Sequence, residues 1–383
     1  MLQKISFANY KLFKDWQELE LRPVTVLIGK NSSGKSAIAK LPTLISQSLQ
    51  GTSDEPVNLI NEGVEIGAEF RDLVYGRNLT GVLELKMTGD KHEMQVNIAS
   101  GVRTQDAPQI VHWKLESQSG TIEKTSNQVF KGFIPQGHDG QKPKGFKFNI
   151  KTDYIGPIRK SPERINEPQT NRKIEKIGID GANAYPLLYQ DDLKTDGQLV
   201  RQVDAWYKKN FEGWGIRVNR DRAPYYEVEL TWKDELKINL RDVGEGMSQV
   251  LPIVTRAFMP ADKDTLIIIE QPELHLHPAA HGSLAQLFVE QALGGNGRYL
   301  IETHSKNLVL RLRRLVAEQV LSPDQLLIYY VDFDIENGSS ELRRIEVDRT
   351  GSVDYWPEHV FSESLDEAIA LRTAQLNLEG DAR

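Results

Sequence analysis

The sequence predicts an α/β protein in which a mostly parallel sheet carries helices on its faces and joins an antiparallel, β-rich part. A glycine-rich loop at residues 29–36 follows a short β-branched run and precedes a helical pattern. Apolar strands and helices alternate between residues 266 and 331, which is typical of βαβ units. Between residues 67 and 148, apolar and polar residues alternate instead, and this pattern predicts an antiparallel meander.

The composition limits the class of protein. At 383 residues the chain is long enough for a large core, and 39% hydrophobic and 26% charged residues are ordinary for a globular protein. No apolar run has membrane-spanning length and the first residues lack a signal-peptide pattern, so we expect a cytoplasmic protein with no membrane partner. The absence of cysteine excludes disulfides and thiolate metal sites.

The first half of the chain predicts strands followed by one helix. Strands are expected at residues 2–7, 16–21 and 24–28, and a helix should follow the glycine-rich loop. Pro42 should kink or end this helix, with residues 44–49 continuing it. The meander should contain an exposed loop at 135–144, and residues 154–159 predict a buried strand that stops at a proline.

The second half predicts a helical segment, a group of strands and then the βαβ alternation. Residues 185–211 read as helical, with Trp206, Tyr207 and Phe211 in the core. Strands are expected at 216–218, 226–232 and 236–240, followed by strands at 266–269, 299–302 and 326–331 that alternate with helices at 278–292 and 306–319.

The glycine-rich loop has the pattern G-x-x-x-x-G-K-[ST]. Its candidate phosphate-binding residues are Gly29, Asn31, Ser32, Ser33, Gly34, Lys35 and Ser36. Glycines let successive backbone N–H groups curl round a phosphate, while Lys35 reaches the outer phosphates and Ser36 offers a hydroxyl to Mg²⁺. A chance match is the alternative, but the flanking strand and helix stand in the right order. The loop predicts binding of a nucleoside triphosphate with Mg²⁺.

Three later motifs suit the same site. Glu270 ends an apolar strand, where a carboxylate lies beside the phosphate loop and can hold Mg²⁺ directly or through water. His304 ends the next strand, close to the expected γ-phosphate. Residues 242–249 form a glycine–serine turn before a helix at 250–258, with backbone amides that suit an anion. The alternatives are an ordinary polar turn after the strand and an ordinary helix-capping turn.

In this order the motifs resemble the phosphate loop, signature motif, Walker B strand and switch histidine of ABC-type ATPases. More narrowly, the chain is similar to the compact RecF/SMC-like and OLD-like ATPases of bacteria, and segments 5–13, 154–159, 270–278 and 351–357 carry that resemblance. It implies a single ABC-type ATPase head with a β-rich subdomain and a helical signature lobe. Its portions would be 1–66 with the phosphate loop, 67–150 as the β-rich subdomain, 151–260 as the lobe, and 261–383 with the Walker B and switch motifs.

The resemblance also implies an ATP-dependent homodimer with composite sites. Gly246 and Ser248 of the signature motif would contact the γ-phosphate held by Lys35 of the partner subunit. The sequence departs from the family pattern at Gln271, where a glutamate normally activates the attacking water. A neutral amide can orient water but cannot accept its proton.

Three explanations of this departure remain open. Gln271 positions water while Glu273 or His304 assists; hydrolysis is slow and serves as a timer; or the protein binds ATP and signals by dimerising.

The family resemblance extends to a biological role. Relatives often occur beside nucleases or other effectors in bacterial anti-phage systems, including Septu-like and retron-associated ones. This implies an ATP-dependent regulator of a separate effector protein, a nuclease or a toxin. The competing classes are a RecF-like repair ATPase that binds DNA directly and a nucleotide-gated scaffold without turnover.

Other clusters have structural alternatives. The net charge of −7 argues against a non-specific nucleic-acid coat, but ten basic residues lie between Lys142 and Lys176, and Arg311, Arg313 and Arg314 form a second group. Either group could contact DNA or RNA, or be a solvated face. The basic residues of the first group are Lys142, Lys144, Lys147, Lys151, Arg159, Lys160, Arg164, Arg172, Lys173 and Lys176.

Two further patterns suggest chemistry that the context disfavours. His275, His277 and His281 with Glu273 could form a metal site, but their position directly after the Walker B strand favours a structural turn. Asp332 and Asp334 resemble the paired acids of a Toprim nuclease. Only about fifty residues follow them, too few for that domain, so we expect no nuclease centre here.

Overall fold

The computed structural model describes residues 1–100, 107–125, 128–136, 148–169, 173–194, 196–233, 235–358 and 360–381. Its strands are β1 (Leu2–Ala8), β2 (Gln17–Glu20), β3 (Val24–Gly29), β4 (Ile60–Asn61), β5 (Val64–Glu65), β6 (Val82–Gly89), β7 (His92–Ala99), β8 (Gln109–Ser117), β9 (Gly120–Thr125), β10 (Phe130–Lys131), β11 (Ile134–Pro135), β12 (Lys151–Ile155), β13 (Trp214–Asn219), β14 (Glu227–Trp232), β15 (Leu236–Asn239), β16 (Thr265–Glu270), β17 (Arg298–Glu302), β18 (Leu326–Asp334) and β19 (Ser339–Ile345). Its helices are α1 (Lys35–Gln50), α2 (Ala184–Lys194), α3 (Gln198–Asn210), α4 (Glu245–Phe258), α5 (Pro278–Leu293), α6 (Lys306–Ala317) and α7 (Glu363–Asp381).

A six-stranded mixed sheet forms the centre of the molecule, in the order β12-β16-β17-β3-β18-β19. All neighbouring strands are parallel except β19, which returns antiparallel to β18. This confirms the predicted α/β class. Because parallel strands end at one edge of a sheet, the loops after β3, β16 and β17 meet there.

A second six-stranded sheet is antiparallel throughout, in the order β2-β1-β6-β7-β8-β9. The predicted meander is therefore confirmed. The sheet also includes β1 and β2, so the β-rich part draws on the first twenty residues as well as on residues 67–150. Beyond Gln136, the loop predicted at 135–144 lies outside the described residues.

The core lies on both faces of the central sheet. Within β16, Ile267 and Ile269 pack in the cluster that includes α4, α5 and α6, while Leu266 and Ile268 pack in the cluster that includes α1 and the antiparallel sheet. Burial on both faces explains the uninterrupted apolar run of this strand. The described helices include none that is both long and apolar enough to cross a membrane.

Some predicted boundaries were wrong. Helix α1 runs unbroken past Pro42, which is buried, so packing of its apolar face outweighs the missing hydrogen bond and Pro42 does not end the helix. Helix α4 begins at Glu245 rather than at residue 250. The helical segment at 185–211 is two helices, α2 and α3, with Trp206 and Tyr207 buried and Phe211 partly buried. Strand β19 and helix α7 were not predicted.

Candidate nucleotide-binding site

The glycine-rich loop connects β3 to α1 at the carboxyl edge of the central sheet. Gly29 has a φ of 151°, and a Cβ atom there would lie 2.3 Å from the carbonyl oxygen of Val331 on β18. Gly34 has a φ of 103°, and its Cβ would lie 3.0 Å from the ring of Phe13. Both positions therefore need glycine, for backbone conformation and for space.

A cleft of about 460 Å³ opens above this loop. Its lining residues are Leu12, Asn31, Ser32, Gly34, Lys35, Ser36, Ala37, Gln271, Glu302 and His304. The fold thus brings the phosphate loop together with Gln271 and His304 from the loops after β16 and β17. Glu302 was not singled out from the sequence, although it ends a strand as Glu270 does, and that signal could have found it.

Lys35 folds back onto its own loop. Its Nζ donates to the carbonyl oxygens of Gly29 at 3.0 Å and Lys30 at 2.6 Å, and the residue is 4% exposed. Burial lowers the pKa of Lys35, and the nearby carboxylates of Glu302 and Glu270 oppose this effect. Since its partners are neutral carbonyls, the ammonium group can exchange them for the stronger charge-assisted bonds of a phosphate.

Two buried carboxylates lie beside the loop. Glu270 and Glu302 are opposite each other in register on β16 and β17. The Ser36 hydroxyl donates to Oε2 of Glu302 at 2.9 Å, and the Tyr154 hydroxyl donates to Oε1 of Glu270. Burial raises the pKa of Glu270, and burial together with the neighbouring Glu270 raises the pKa of Glu302 to about 7.

These side chains fit a magnesium ion that arrives with a nucleotide. A serine hydroxyl and carboxylates are the hard oxygen ligands that Mg²⁺ prefers. Within the described residues, no group of three or more His, Asp or Glu side chains could hold a metal ion. Mg²⁺ in nucleotide sites usually binds one or two carboxylates and completes its shell with phosphates and water. Ser36 and Glu270 were predicted as magnesium ligands; Ser36 contacts Glu302, which lies opposite Glu270 on the neighbouring strand.

Three residues are proposed to act on the attacking water, and they make different contacts: Gln271, Glu273 and His304. Gln271 has a φ of 45°, and its main-chain N–H donates to the carbonyl of Glu302 at 2.8 Å. Oε1 of Glu273 accepts from the main-chain N–H of His304 at 2.6 Å, so this carboxylate holds the histidine loop. Burial and the charge of Lys35 lower the pKa of His304, which favours the neutral ring.

Comparisons with known proteins agree with this architecture. A family model described as "AAA ATPase domain" matches residues 1–97, and one described as "AAA domain, putative AbiEii toxin, Type IV TA system" matches residues 128–311. The Old nuclease of Escherichia phage P2 is 23% identical over 345 residues, covering 80% of this chain and 57% of that protein. The chain thus spans little more than half the length of this curated relative.

Solved SMC heads share the fold. An SMC head bound to the C-terminal winged-helix domain of ScpA superposes with a TM-score of 0.53 at 10% identity, covering 90% of this chain and 98% of that one. An SMC head with an extended coiled coil, bound to the C-terminal domain of ScpA derived from Pyrococcus furiosus, gives 0.51 at 11% identity, covering 90% and 96%. The chain therefore has the fold of an ABC-type ATPase head, and its sequence is similar to AAA ATPase domains and to the Old nuclease.

The signature motif of this ATPase forms the first turn of α4. Ser248 is 4% exposed, and its hydroxyl donates to the carbonyl of Glu245 at 3.1 Å. A Cβ atom on Gly246 would lie 2.6 Å from the carbonyl of His275, which itself pairs with Glu245 at 3.2 Å. Among the described residues, the cleft lining includes neither Gly246 nor Ser248.

The histidines after β16 of the ATPase have structural contacts. His281 lies 2.7 Å from the Ser305 hydroxyl through Nδ1 and 3.1 Å from the carbonyl of Leu276 through Nε2. Nδ1 of His277 accepts from the N–H of Ala279 at 3.3 Å and caps α5. These contacts agree with the structural turn that the sequence favoured over a metal site.

Most of the described residues of the first basic group, between Lys142 and Lys176, form ion pairs with acidic side chains. Its ion pairs are Lys151–Asp262, Lys160–Glu163, Arg164–Asp242, Lys173–Glu175 and Lys176–Glu62. Lys142, Lys144, Lys147 and Arg172 lie outside the described residues. Arg159 belongs to the group for which nucleic-acid contact or a solvated face was expected, but it is 4% exposed, because its guanidinium donates to main-chain carbonyls inside the fold.

Two residues of the second basic group, Arg313 and Arg314, also have partners within the fold. Nε of Arg313 donates to the carbonyl of Gly351 at 2.8 Å, and Arg314 pairs with Glu318 at 2.8 Å.

Proposed function

We propose that this ATPase is a dimeric switch that binds Mg²⁺ and ATP in the cleft at Lys35, hydrolyses ATP slowly, and regulates a separate effector, a nuclease or a toxin. The observation that carries the proposal is which residues line the cleft. The lining contains the phosphate loop with Gln271, Glu302 and His304, and among the described residues it contains neither Gly246 nor Ser248 of the signature turn.

A second copy supplies the missing half in this proposal. Gly244 and Glu245 at the start of α4 are exposed, so the first N–H groups of the helix can reach a phosphate held by another copy. The Ser248 hydroxyl would exchange the Glu245 carbonyl for that phosphate. ATP would then hold two subunits together, and its loss would release them.

The residues around the cleft support the proposal of slow hydrolysis. Gln271 lines it and can orient water without accepting a proton. The Glu273 carboxylate already accepts a hydrogen bond from the main-chain N–H of His304. The neutral His304 ring is therefore the group left to assist Gln271 in positioning the water. We therefore favour positioned water with slow turnover, and a scaffold without turnover is the alternative outcome of the rate measurement.

The effector role rests on the relatives. One matching model is described by a putative toxin of a type IV toxin–antitoxin system, and the phage P2 relative is a nuclease of which this chain spans 57%. We propose that a separate protein supplies the effector chemistry. Direct DNA binding of the RecF-like kind is the competing class, because the exposed ion pairs of the described basic residues are weak and can be exchanged for phosphates; binding to DNA that falls with salt would favour it.

The decisive experiment mixes two inactive variants. Lys35→Ala removes the phosphate contact and Ser248→Arg blocks the signature turn, so each alone should lose turnover. A mixed dimer should regain part of it, because one composite site is then intact, and light scattering should show dimers with ATP but not with ADP. Lys14→Ala, at an exposed lysine outside the cleft lining, is the control. Monomers in ATP without complementation would exclude the composite site.

The effector half of the proposal needs a separate measurement. Proteins that co-purify with the wild type from its native operon should include a nuclease or toxin whose activity changes when Lys35→Ala replaces the wild type. An effector equally active with both forms would contradict regulation by ATP.

A further inference from the structure

Glu302 occupies a central place between the phosphate loop and the Walker B acid. Strand β17 lies between β16 and β3, so its last residue reaches the gap between Glu270 and the loop. Oε2 of Glu302 accepts the Ser36 hydroxyl at 2.9 Å. The residue is 2% exposed and nevertheless borders the cleft.

No salt bridge neutralises this pair of acids. Among the described residues, neither Glu270 nor Glu302 forms an ion pair, although both are buried. The charge of Lys35 favours the ionised form of both acids and that of Lys40 favours ionised Glu270, but Nζ of Lys35 donates to two carbonyl oxygens instead of to either carboxylate. Two buried carboxylates side by side are unfavourable when both are ionised, and a divalent cation would relieve that cost.

We propose that Glu302 is a second carboxylate of the divalent-cation site and binds the ion, directly or through one water, together with Ser36 and Glu270. This inference rests on the proposed binding of ATP in the same cleft. The contact that favours it is the bond from Ser36, because the hydroxyl assigned to the cation already touches Glu302. Glu270 is tied to Tyr154 through Oε1, which leaves Oε2 of that residue for a shared ion.

The test separates metal binding from nucleotide binding. A fluorescent, non-hydrolysable ATP analogue is titrated into the full chain at increasing Mg²⁺, and again in EDTA. Glu302→Gln keeps a hydrogen-bond acceptor for Ser36 but removes the charge. We expect it to raise the Mg²⁺ concentration for half-maximal binding by about 10- to 100-fold. In EDTA its affinity for the analogue should be equal or tighter, because a negative charge near the phosphates is gone.

Two further variants and a direct measurement of ion binding serve as controls for the Mg²⁺ titration. Asp332→Asn makes the same carboxyl-to-amide change on β18, another strand of the central sheet, outside the cleft lining, and should behave as wild type. Glu302→Asp retains the charge on a shorter side chain and should give an intermediate Mg²⁺ requirement, which serves if Glu302→Gln does not fold. Mn²⁺ with the analogue, followed by electron paramagnetic resonance, should show weaker ion binding in Glu302→Gln.

The results that would overturn the inference differ from those that would overturn the proposed function. An unchanged Mg²⁺ requirement in Glu302→Gln, or an equal loss of affinity in Mg²⁺ and in EDTA, would exclude Glu302 as a cation ligand while ATP binding by the wild type stands. A wild-type chain that binds no analogue under either condition would overturn the proposed function and this inference with it.

Discussion

Arg159 fixes the main chain of Gln271. Its Nη2 donates to the carbonyl oxygen of Gln271 at 2.8 Å and to that of Glu270 at 2.9 Å. The Gln249 side chain on α4 donates to the carbonyl of Arg159 at 3.3 Å. Arg159 therefore joins the turn after the Walker B strand to the helix that begins with the signature motif.

Replacing Arg159 should slow turnover more than it weakens binding. Arg159→Met leaves two carbonyls without their charged donor, and each such bond contributes about 1.5–3 kcal/mol. We expect ATP turnover to fall by about tenfold or more, with the affinity for ATP changed only slightly. Arg164→Met, which removes a surface ion pair with Asp242, is the control. Equal turnover in the two variants would exclude a positioning role.

Gln271→Glu should raise turnover. A carboxylate at this position in the cleft can accept the proton of the attacking water, and general-base catalysis contributes roughly 10²–10⁴-fold in enzymes. Steady-state phosphate release from the purified protein measures the change, and the rate of Gln271→Ala should lie below that of wild type. A rate that stays the same in Gln271→Glu would mean that the base lies elsewhere.

Gly29→Ala should destabilise the loop and abolish nucleotide binding. The new Cβ would lie 2.3 Å from the Val331 carbonyl at a φ of 151°, so the strand or the loop must shift. Backbone strain of this kind costs on the order of 1–3 kcal/mol, measurable by urea denaturation. Gly120→Ala is a matched control, because that glycine has a φ of 121° and no neighbour within 4 Å. A similar loss of stability in both variants would show that the positive φ, and not the contact with Val331, causes the effect.

The stability of the nucleotide-free protein should fall as pH rises through neutrality. The pKa of Glu302 is raised from 4.5 to about 7 by burial and by Glu270. Since the folded state holds this proton more tightly than the unfolded state, the stabilisation is complete below about pH 4.5 and is lost as pH rises through about 7.

The Glu302→Gln variant tests this pH dependence, because an amide cannot ionise. In EDTA, its free energy of unfolding relative to wild type should be higher at pH 8 than at pH 5, by on the order of 2 kcal/mol. Urea denaturation at both pH values measures the difference. The free energy of unfolding of Asp332→Asn should change between the two pH values by as much as that of wild type. The same offset at pH 5 and pH 8 would show that Glu302 does not titrate in this range.

Local patterns predicted the elements that depend on neighbours in the chain. The β-branched run of β3, the glycines of its loop and the apolar run of β16 each specify a backbone conformation within a few residues, and all three were confirmed. Pro42 shows the limit of this reasoning. Its propensity to break a helix is local, but burial of α1 against the sheet is not, and burial decided the outcome.

The sequence by itself determined a phosphate loop between a strand and a helix, an α/β sheet and an antiparallel meander, because glycine freedom and hydrophobic periodicity act over short stretches. Only the tertiary structure decided that Glu302 contacts Ser36 and that the buried Arg159 donates to the carbonyl oxygen of Gln271. Each of these depends on which strands become neighbours, and that order is set by packing across the whole sheet, between residues more than a hundred positions apart.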